Sequence, residues 1–182
     1  MRVNTLIVDD FYVNPNEVRE FALSQDFKVE GNYPGQRTIS FLDNDLKNSI
    51  QELIKPFAGE VVGWGGEYSG SYQYTTAEDR SWIHSDSTTG WAAVIYLTPD
   101  APVSSGTGLY KHKETGLCGW DSNIHTEEET NLAPHMNEAI DYTKWELVDK
   151  LGNKFNRMVL YRSDNYHVSM DYFGKNKYDG RL

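Results

Sequence analysis

The segment WIHSDS, residues 82–87, places a histidine and an aspartate two positions apart. If this segment is a β-strand, its side chains alternate between two faces, so His84 and Asp86 point the same way. An imidazole and a carboxylate side by side can bind a divalent metal, and a second histidine would complete a set that holds non-haem Fe(II) with open coordination positions. By itself, the pair is more typical of a hydrogen-bonded pair on a surface strand.

Four other histidines are candidates for the third ligand: His112, His125, His135 and His167. His125 and His135 fall in an acidic segment, where solvated side chains are expected. The lysines on both sides of His112 indicate an exposed side chain. His167 lies 83 residues after His84, between two β-rich runs, which leaves room for the intervening strands of a barrel. The residue pattern alone leaves the choice of the third ligand open.

The segments that position these residues are mostly short β-rich runs separated by Gly, Asp, Asn and Pro. After residue 60 the runs are SYQYTT, SWIHSD, WAAVIYLT, GTGLYKHK, FNRMVLYRS and HVSMDYF. This spacing is typical of an all-β sandwich or barrel. Residues 114–144 form an acidic insertion between the runs, and residues 145–151 are ambiguous between strand and helix, with strand favoured.

The first 59 residues have a different pattern. Residues 3–8, VNTLIV, predict an opening strand. Asn14 followed by Pro15 predicts the start of a short helix, and apolar residues at helical spacing over 46–57 predict a second one. We expect both helices to pack against the sheet.

Composition limits the class of protein. The chain has 182 residues, 38% of them hydrophobic and 24% charged, which is typical of one soluble globular domain. Its net charge of −10 argues against nucleic-acid or anionic-membrane partners. The longest apolar run, residues 91–97, is too short to span a bilayer, and the first residues have no signal-peptide pattern. Cys118 is the only cysteine, so a reducing, cytoplasmic compartment is expected.

The order and spacing of the runs resemble the 2-oxoglutarate- and Fe(II)-dependent oxygenases, in particular small bacterial and phage members of the prolyl-4-hydroxylase type. The matching pieces are WIHSDS, WAAVIYLT, GTGLY, NRMVLYRSDNYH and DGRL, over about residues 70–182, with FYVNPNEVREF and NYPGQRT resembling the helical lead-in. The resemblance implies one mainly β domain over residues 1–182. Its double-stranded β-helix core (jelly-roll or cupin-like) would occupy residues 60–182, with flanking helices within residues 1–59.

The resemblance also implies roles for single residues. His84, Asp86 and His167 resemble the Fe(II) ligands of that family. Arg181, fourteen residues after His167, resembles the residue that holds the distal carboxylate of the co-substrate 2-oxoglutarate, which a planar guanidinium can bind through two hydrogen bonds. Tyr74 resembles a phenol that bonds the same carboxylate.

Two departures from the family pattern bear on the co-substrate anchor. The sequence ends one residue after Arg181, where members usually continue the strand, so Arg162 is an alternative anchor. The run WAAVIYLT lacks the arginine that many members carry at this point.

The implied activity is that of a dioxygenase that uses O₂ and 2-oxoglutarate to hydroxylate a C–H bond of an amino acid, a peptide or a small metabolite. The primary substrate and the oligomeric state are left open by the sequence. Two alternatives stand beside it. One is a cupin-like metal enzyme that does not use 2-oxoglutarate, although cupins typically carry H-x-H; the other is a non-catalytic β-sandwich binding module in which His84 and Asp86 are incidental.

Overall fold

The computed structural model describes residues 3–66, 68–86, 90–119 and 136–182, and this part of the chain is mainly β. It contains eight strands and two α-helices. In chain order these are β1 (Thr5–Val8), α1 (Pro15–Ser24), β2 (Gln36–Ser40), α2 (Asn44–Ala58), β3 (Ser71–Tyr74), β4 (Trp91–Tyr96), β5 (Thr107–His112), β6 (Trp145–Leu151), β7 (Arg157–Arg162) and β8 (Tyr166–Ser169).

The strands form three antiparallel sheets. One has the order β1-β7-β4, a second has the order β6-β5-β8, and β2 pairs with β3 alone. Strand β7 is the centre of the first sheet, with Leu160 opposite both Leu6 of β1 and Ala93 of β4. A central strand that is covered on both faces has to be apolar along its length, and residues 158–161 of β7 are all buried.

Alternation along β7 divides its side chains between two hydrophobic clusters. Val159 and Tyr161 pack with Leu109 of β5 and Leu151 of β6, so the two three-stranded sheets lie face to face. Met158 and Leu160 point the other way and pack against α2. The apolar stripe of α2, which includes Ile50 and Ile54, therefore covers the outer face of the β1-β7-β4 sheet.

Most elements expected from the sequence are confirmed: a mainly β chain, an opening strand, two helices, and a strand over 145–151. Strand β2 was not predicted, because its sequence QRTIS is polar and only Thr38 is buried. Most of the acidic insertion, residues 120–135, lies outside the described residues; its last part contains two 3₁₀ turns, at Met136–Glu138 and Tyr142–Lys144. Neither helix of the described chain has the length and apolar character needed to cross a membrane.

The prediction of a strand over SWIHSD is wrong. Within residues 81–86 only His84 makes a β-bridge, and its partner is His167. The backbone of this segment bonds to three separate places: Ile83 donates to the Ala139 carbonyl, His84 to that of His167, and Asp86 to that of Ser163. A segment that crosses several neighbours in this way cannot keep the continuous register of a strand.

The packing of β7 against α2 leads to a first prediction. Leu160→Ala removes a side chain that is 1% exposed and leaves a cavity beneath α2, so we expect a loss of about 2–5 kcal/mol in the free energy of unfolding. Leu147→Ala on β6, where the side chain is 44% exposed, is the matched control and should cost less than about 1 kcal/mol. Urea denaturation measures both, and equal losses would contradict the assignment of β7 as the core strand.

Candidate metal centre

Reciprocal backbone hydrogen bonds bring the two histidines together. The amide of His84 donates to the carbonyl of His167 at 3.1 Å, and the amide of His167 donates to that of His84 at 2.8 Å. The two imidazole rings consequently lie with their centroids 4.4 Å apart. Two residues further on, the amide of Asp86 donates to the carbonyl of Ser163 at 2.7 Å, which holds the carboxylate beside the pair.

Each imidazole is oriented by a carbonyl two residues before it. Nδ1 of His84 lies 2.9 Å from the Trp82 carbonyl oxygen, and Nδ1 of His167 lies 2.8 Å from that of Asn165. A carbonyl oxygen only accepts, so Nδ1 carries the proton in both rings. In the neutral imidazoles Nε2 is then left with its lone pair, which is the form that binds a metal.

The three ligand atoms converge on one point. Nε2 of His84 is 4.0 Å from Oδ1 of Asp86, and Nε2 of His167 is 3.5 Å from Oδ2. One atom from each residue lies within 4.8 Å of the other two. Ligands bound at about 2.1 Å and at right angles are about 3 Å apart, so small side-chain movements would bring this set onto one ion.

Burial and nearby charge favour the protonation states that a metal needs. Burial lowers the pKa of His84, and the neighbouring His167 lowers it further. Burial alone would raise the pKa of Asp86, but the contact with His167 and the positive charges around it outweigh this and lower that pKa. The carboxylate is thus ionised and the His84 imidazole neutral near neutral pH. The His167 side chain is 5% exposed and that of Asp86 is 50% exposed, so the centre opens to one side.

The centre opens into a cleft of about 1410 Å³. Besides the three candidate ligands, the cleft is lined by charged and hydroxyl side chains, among them Arg37, Tyr96, Thr107, Tyr161, Arg162, Ser169 and Arg181. Small molecules usually bind in concave sites of this kind, which combine apolar side chains with polar groups that fix the orientation of the ligand.

Arg181 and Arg162, the two residues considered as anchors for 2-oxoglutarate, both line this cleft, but only one of them has a carboxylate partner. Arg181 is held by mutual backbone hydrogen bonds with Thr75, at 2.9 Å each, and its guanidinium lies 5.4 Å from the centre of the Tyr96 ring. Within the described residues it has no carboxylate at ion-pair distance. Arg162 has such a partner, since its Nε lies 3.5 Å from Oδ1 of Asp164.

The structure does not bring Tyr74 to the cleft. Its ring packs edge-on against Phe27 at 5.0 Å, in the cluster that α1 forms with Leu97 and Leu182. A different phenol, which sequence reasoning did not single out, lies at the centre: the ring of Tyr161 packs against that of His167 at 4.8 Å. Within the apolar run of β7, Tyr161 had no feature that set it apart from a core residue.

Tyr161 lies within electrostatic range of both Asp86 and Arg181. Burial raises its pKa well above the ordinary value, the nearby Asp86 raises it further, and Arg181 opposes the shift. Its hydroxyl therefore stays protonated at any physiological pH and is able to donate a hydrogen bond.

The expectation that His112 is exposed is wrong. Its side chain is fully buried, with Nε2 2.8 Å from Oε2 of Glu138 and Nδ1 3.0 Å from the Thr115 hydroxyl. The ring also packs against Trp145 at 4.9 Å. These contacts fix the imidazole of His112 in the core, and it is not part of the group formed by His84, Asp86 and His167. The other two candidates, His125 and His135, lie outside the described residues.

The chain belongs to a family of unknown function, DUF6445, whose family model matches residues 2–171. The matched region contains the three candidate ligands and ends before Arg181. No curated protein matches the chain.

The geometry of the centre predicts binding of one divalent ion. Co(II) titrated into the protein should bind with 1:1 stoichiometry, and His84→Ala, Asp86→Ala and His167→Ala should each weaken it. The loss should be at least the roughly 10–100-fold that removal of a supporting partner costs at metal sites. The control variants His125→Ala and His135→Ala should bind like the wild type. Equal weakening in either control would move the third ligand away from His167.

Proposed function

We propose that this protein is a non-haem Fe(II)- and 2-oxoglutarate-dependent dioxygenase that hydroxylates a C–H bond of an amino acid, a peptide or a small metabolite. The observation that carries the proposal is the convergence of His84, Asp86 and His167, with Nε2 of both imidazoles left free by the carbonyls that orient them. The resemblance of the sequence to that enzyme family supports the same conclusion.

The proposed core is a double-stranded β-helix built from the two facing sheets, β1-β7-β4 and β6-β5-β8. Two observations support it: Val159 and Tyr161 of one sheet pack on Leu109 and Leu151 of the other, and all strand pairs are antiparallel. In such a core the candidate ligands belong at one rim, and His167 is in β8, an outer strand of its sheet.

The donor set fits Fe(II). Two imidazoles and one carboxylate on one side of an ion suit this metal and leave positions for a second chelating molecule and for O₂. When bound, Fe(II) would supply the activation of O₂ that couples hydroxylation to decarboxylation of 2-oxoglutarate. The overall reaction is balanced: substrate C–H, 2-oxoglutarate and O₂ give C–OH, succinate and CO₂, with one oxygen atom in the hydroxyl group and one in succinate.

Arg181 is the proposed anchor for the distal carboxylate of 2-oxoglutarate. Its planar guanidinium can form two parallel hydrogen bonds to a carboxylate, and no carboxylate of the described chain competes for it. The ring of the buried Tyr161 packs on His167, and its hydroxyl lies within electrostatic range of Arg181 and offers a further hydrogen-bond donor. Tyr161 thus takes the place that the sequence had suggested for Tyr74.

The first test of this function is spectroscopic. Under anaerobic conditions Fe(II) together with 2-oxoglutarate should give a weak visible charge-transfer band that neither component gives alone. His84→Ala and Asp86→Ala should abolish the band, and His167→Ala should remove nearly all succinate formation in air. A Co(II) site without this band and without succinate would contradict the proposal and favour a cupin-like metal enzyme. Absence of any metal site would favour a binding module.

The second test concerns the anchor. Arg181→Ala removes charge-assisted hydrogen bonds worth roughly 1.5–3 kcal/mol each, so the apparent KM for 2-oxoglutarate should rise by about 100-fold or more. Arg181→Lys should recover only part of this loss, because a point charge replaces a planar fork. Affinity for the metal should stay near the wild-type value.

Arg162→Ala is the matched control for this variant, since Arg162 lines the same cleft but is paired with Asp164. Its KM for 2-oxoglutarate should be close to that of the wild type. An unchanged KM in Arg181→Ala together with a large rise in Arg162→Ala would move the anchor to Arg162.

A further inference from the structure

Arg37 on β2 contributes another guanidinium to the cleft, held by the β2–β3 pair. Its Cζ atom lies 4.0 Å from the centre of the Tyr33 ring and 4.8 Å from that of Tyr68. Its Nε donates to Oε1 of Gln73 at 2.9 Å, and the Gln73 amide in turn donates to the Pro34 carbonyl at 2.6 Å. The orientation of the guanidinium is therefore fixed by the protein before any ligand binds.

In the described part of the chain this cation has no partner at ion-pair distance, and Asp86 acts on it only from further away. No carboxylate there lies within ion-pair distance of Arg37, and with Nε bonded to Gln73 the two terminal nitrogens are left for another acceptor. Burial lowers the pKa of Arg37, which reflects the cost of removing its charge from water. A desolvated charge is normally compensated by a partner, and here the open side faces the cleft.

Arg37 also lies within electrostatic range of the candidate metal centre. Its positive charge acts on both His84 and Asp86, and these residues line the same cleft. Arg37 and the candidate metal ligands therefore line one cleft, which is open to a molecule that binds at Arg37. Arg181, by contrast, lies on the C-terminal segment and is stacked on Tyr96, so the two guanidinium groups offer two separate anchors.

We propose that Arg37 is the anchor of the primary substrate, and that this substrate is a small organic acid whose carboxylate binds the two terminal nitrogens of Arg37. This assignment rests on the proposed dioxygenase function and narrows its substrate class. The planar fork matches the two oxygens of a carboxylate, and the rings of Tyr33 and Tyr68 pack against the guanidinium. Gln73 is a positioning residue that acts through Arg37.

The test compares two ligands of the same chain length, of which one carries a carboxylate and the other a neutral amide. Hexanoate and hexanamide are titrated by calorimetry into the metal-free, full-length protein carrying Arg181→Gln, so that the anchor for 2-oxoglutarate does not contribute. We expect hexanoate to bind about tenfold or more tightly than hexanamide. Adding Arg37→Gln should remove this preference, and adding Arg37→Lys should keep part of it. Adding Arg162→Gln, the matched control, should leave the preference unchanged, and thermal melting verifies that each variant is folded.

Three outcomes would overturn the inference: equal binding of hexanoate and hexanamide, a hexanoate preference that survives Arg37→Gln, and tighter binding of hexyl phosphate than of hexanoate. The last result would assign the site to a phosphate-bearing ligand. Failure of the dioxygenase function is seen separately, as a missing charge-transfer band with Fe(II) and 2-oxoglutarate. A hexanoate preference that depends on Arg37 supports the acid-binding site whichever way that spectroscopic test comes out.

Discussion

The arrangement of the site depends on one pair of hydrogen bonds, between the backbones of His84 and His167. This pair joins a segment that belongs to no strand to β8, and it brings two imidazoles from distant parts of the chain into contact. Because each backbone donates to and accepts from the other, neither histidine can shift along the chain without breaking both bonds. A metal centre needs this precision, since its ligands must converge to within a few tenths of an ångström.

The turn between β7 and β8 supplies the rest of the support. Its residue Ser163 accepts the hydrogen bond of the Asp86 amide, and Asn165 orients the imidazole of His167. The turn is fixed in its own right, because β7 is the central strand of one sheet and is buried from Met158 to Tyr161. The hydrophobic core thus determines the position of the turn, and the turn determines the position of two of the three candidate ligands.

The parts of the site that depend on local pattern were predictable from the sequence. The pairing of His84 with Asp86 was predicted from their two-residue spacing, although the segment that carries them forms no strand. His167 was assigned through the order of the runs and the resemblance to the oxygenase family. The alternation of side chains along β5 would have predicted correctly that His112 is buried. Lys111 pairs with Glu146 and Lys113 reaches the Thr143 carbonyl, so both lysines point outward and the histidine between them points inward. The charge of its neighbours was a poorer guide than the strand period.

The parts that depend on tertiary contacts were not predictable. Tyr74 and Gln73 are adjacent on β3, yet the tyrosine packs on Phe27 beside α1 whereas the glutamine contacts Arg37 in the cleft. Nothing in SYQYTT tells which face is turned to the helix. Arg37 lies on a strand that the polar sequence QRTIS did not predict. Two of the side chains around it, Tyr68 and Gln73, come from a distant part of the chain, and only Tyr33 is close to it in sequence.

Charge balance links the two proposed anchors to the proposed metal. The protein carries a net charge of −10, yet the described cleft lining contains two arginines, Arg37 and Arg181, without a carboxylate partner. A divalent ion bound to Asp86 leaves one positive charge, and the two guanidinium groups raise the total to three. Bound 2-oxoglutarate contributes two negative charges and a monocarboxylate substrate contributes the third. The low dielectric of a partly closed site strengthens the attraction of each acid to its own cations. The two acids are both anions and repel each other, so binding at two separate guanidinium groups, Arg181 and Arg37, reduces this repulsion by keeping their carboxylates apart.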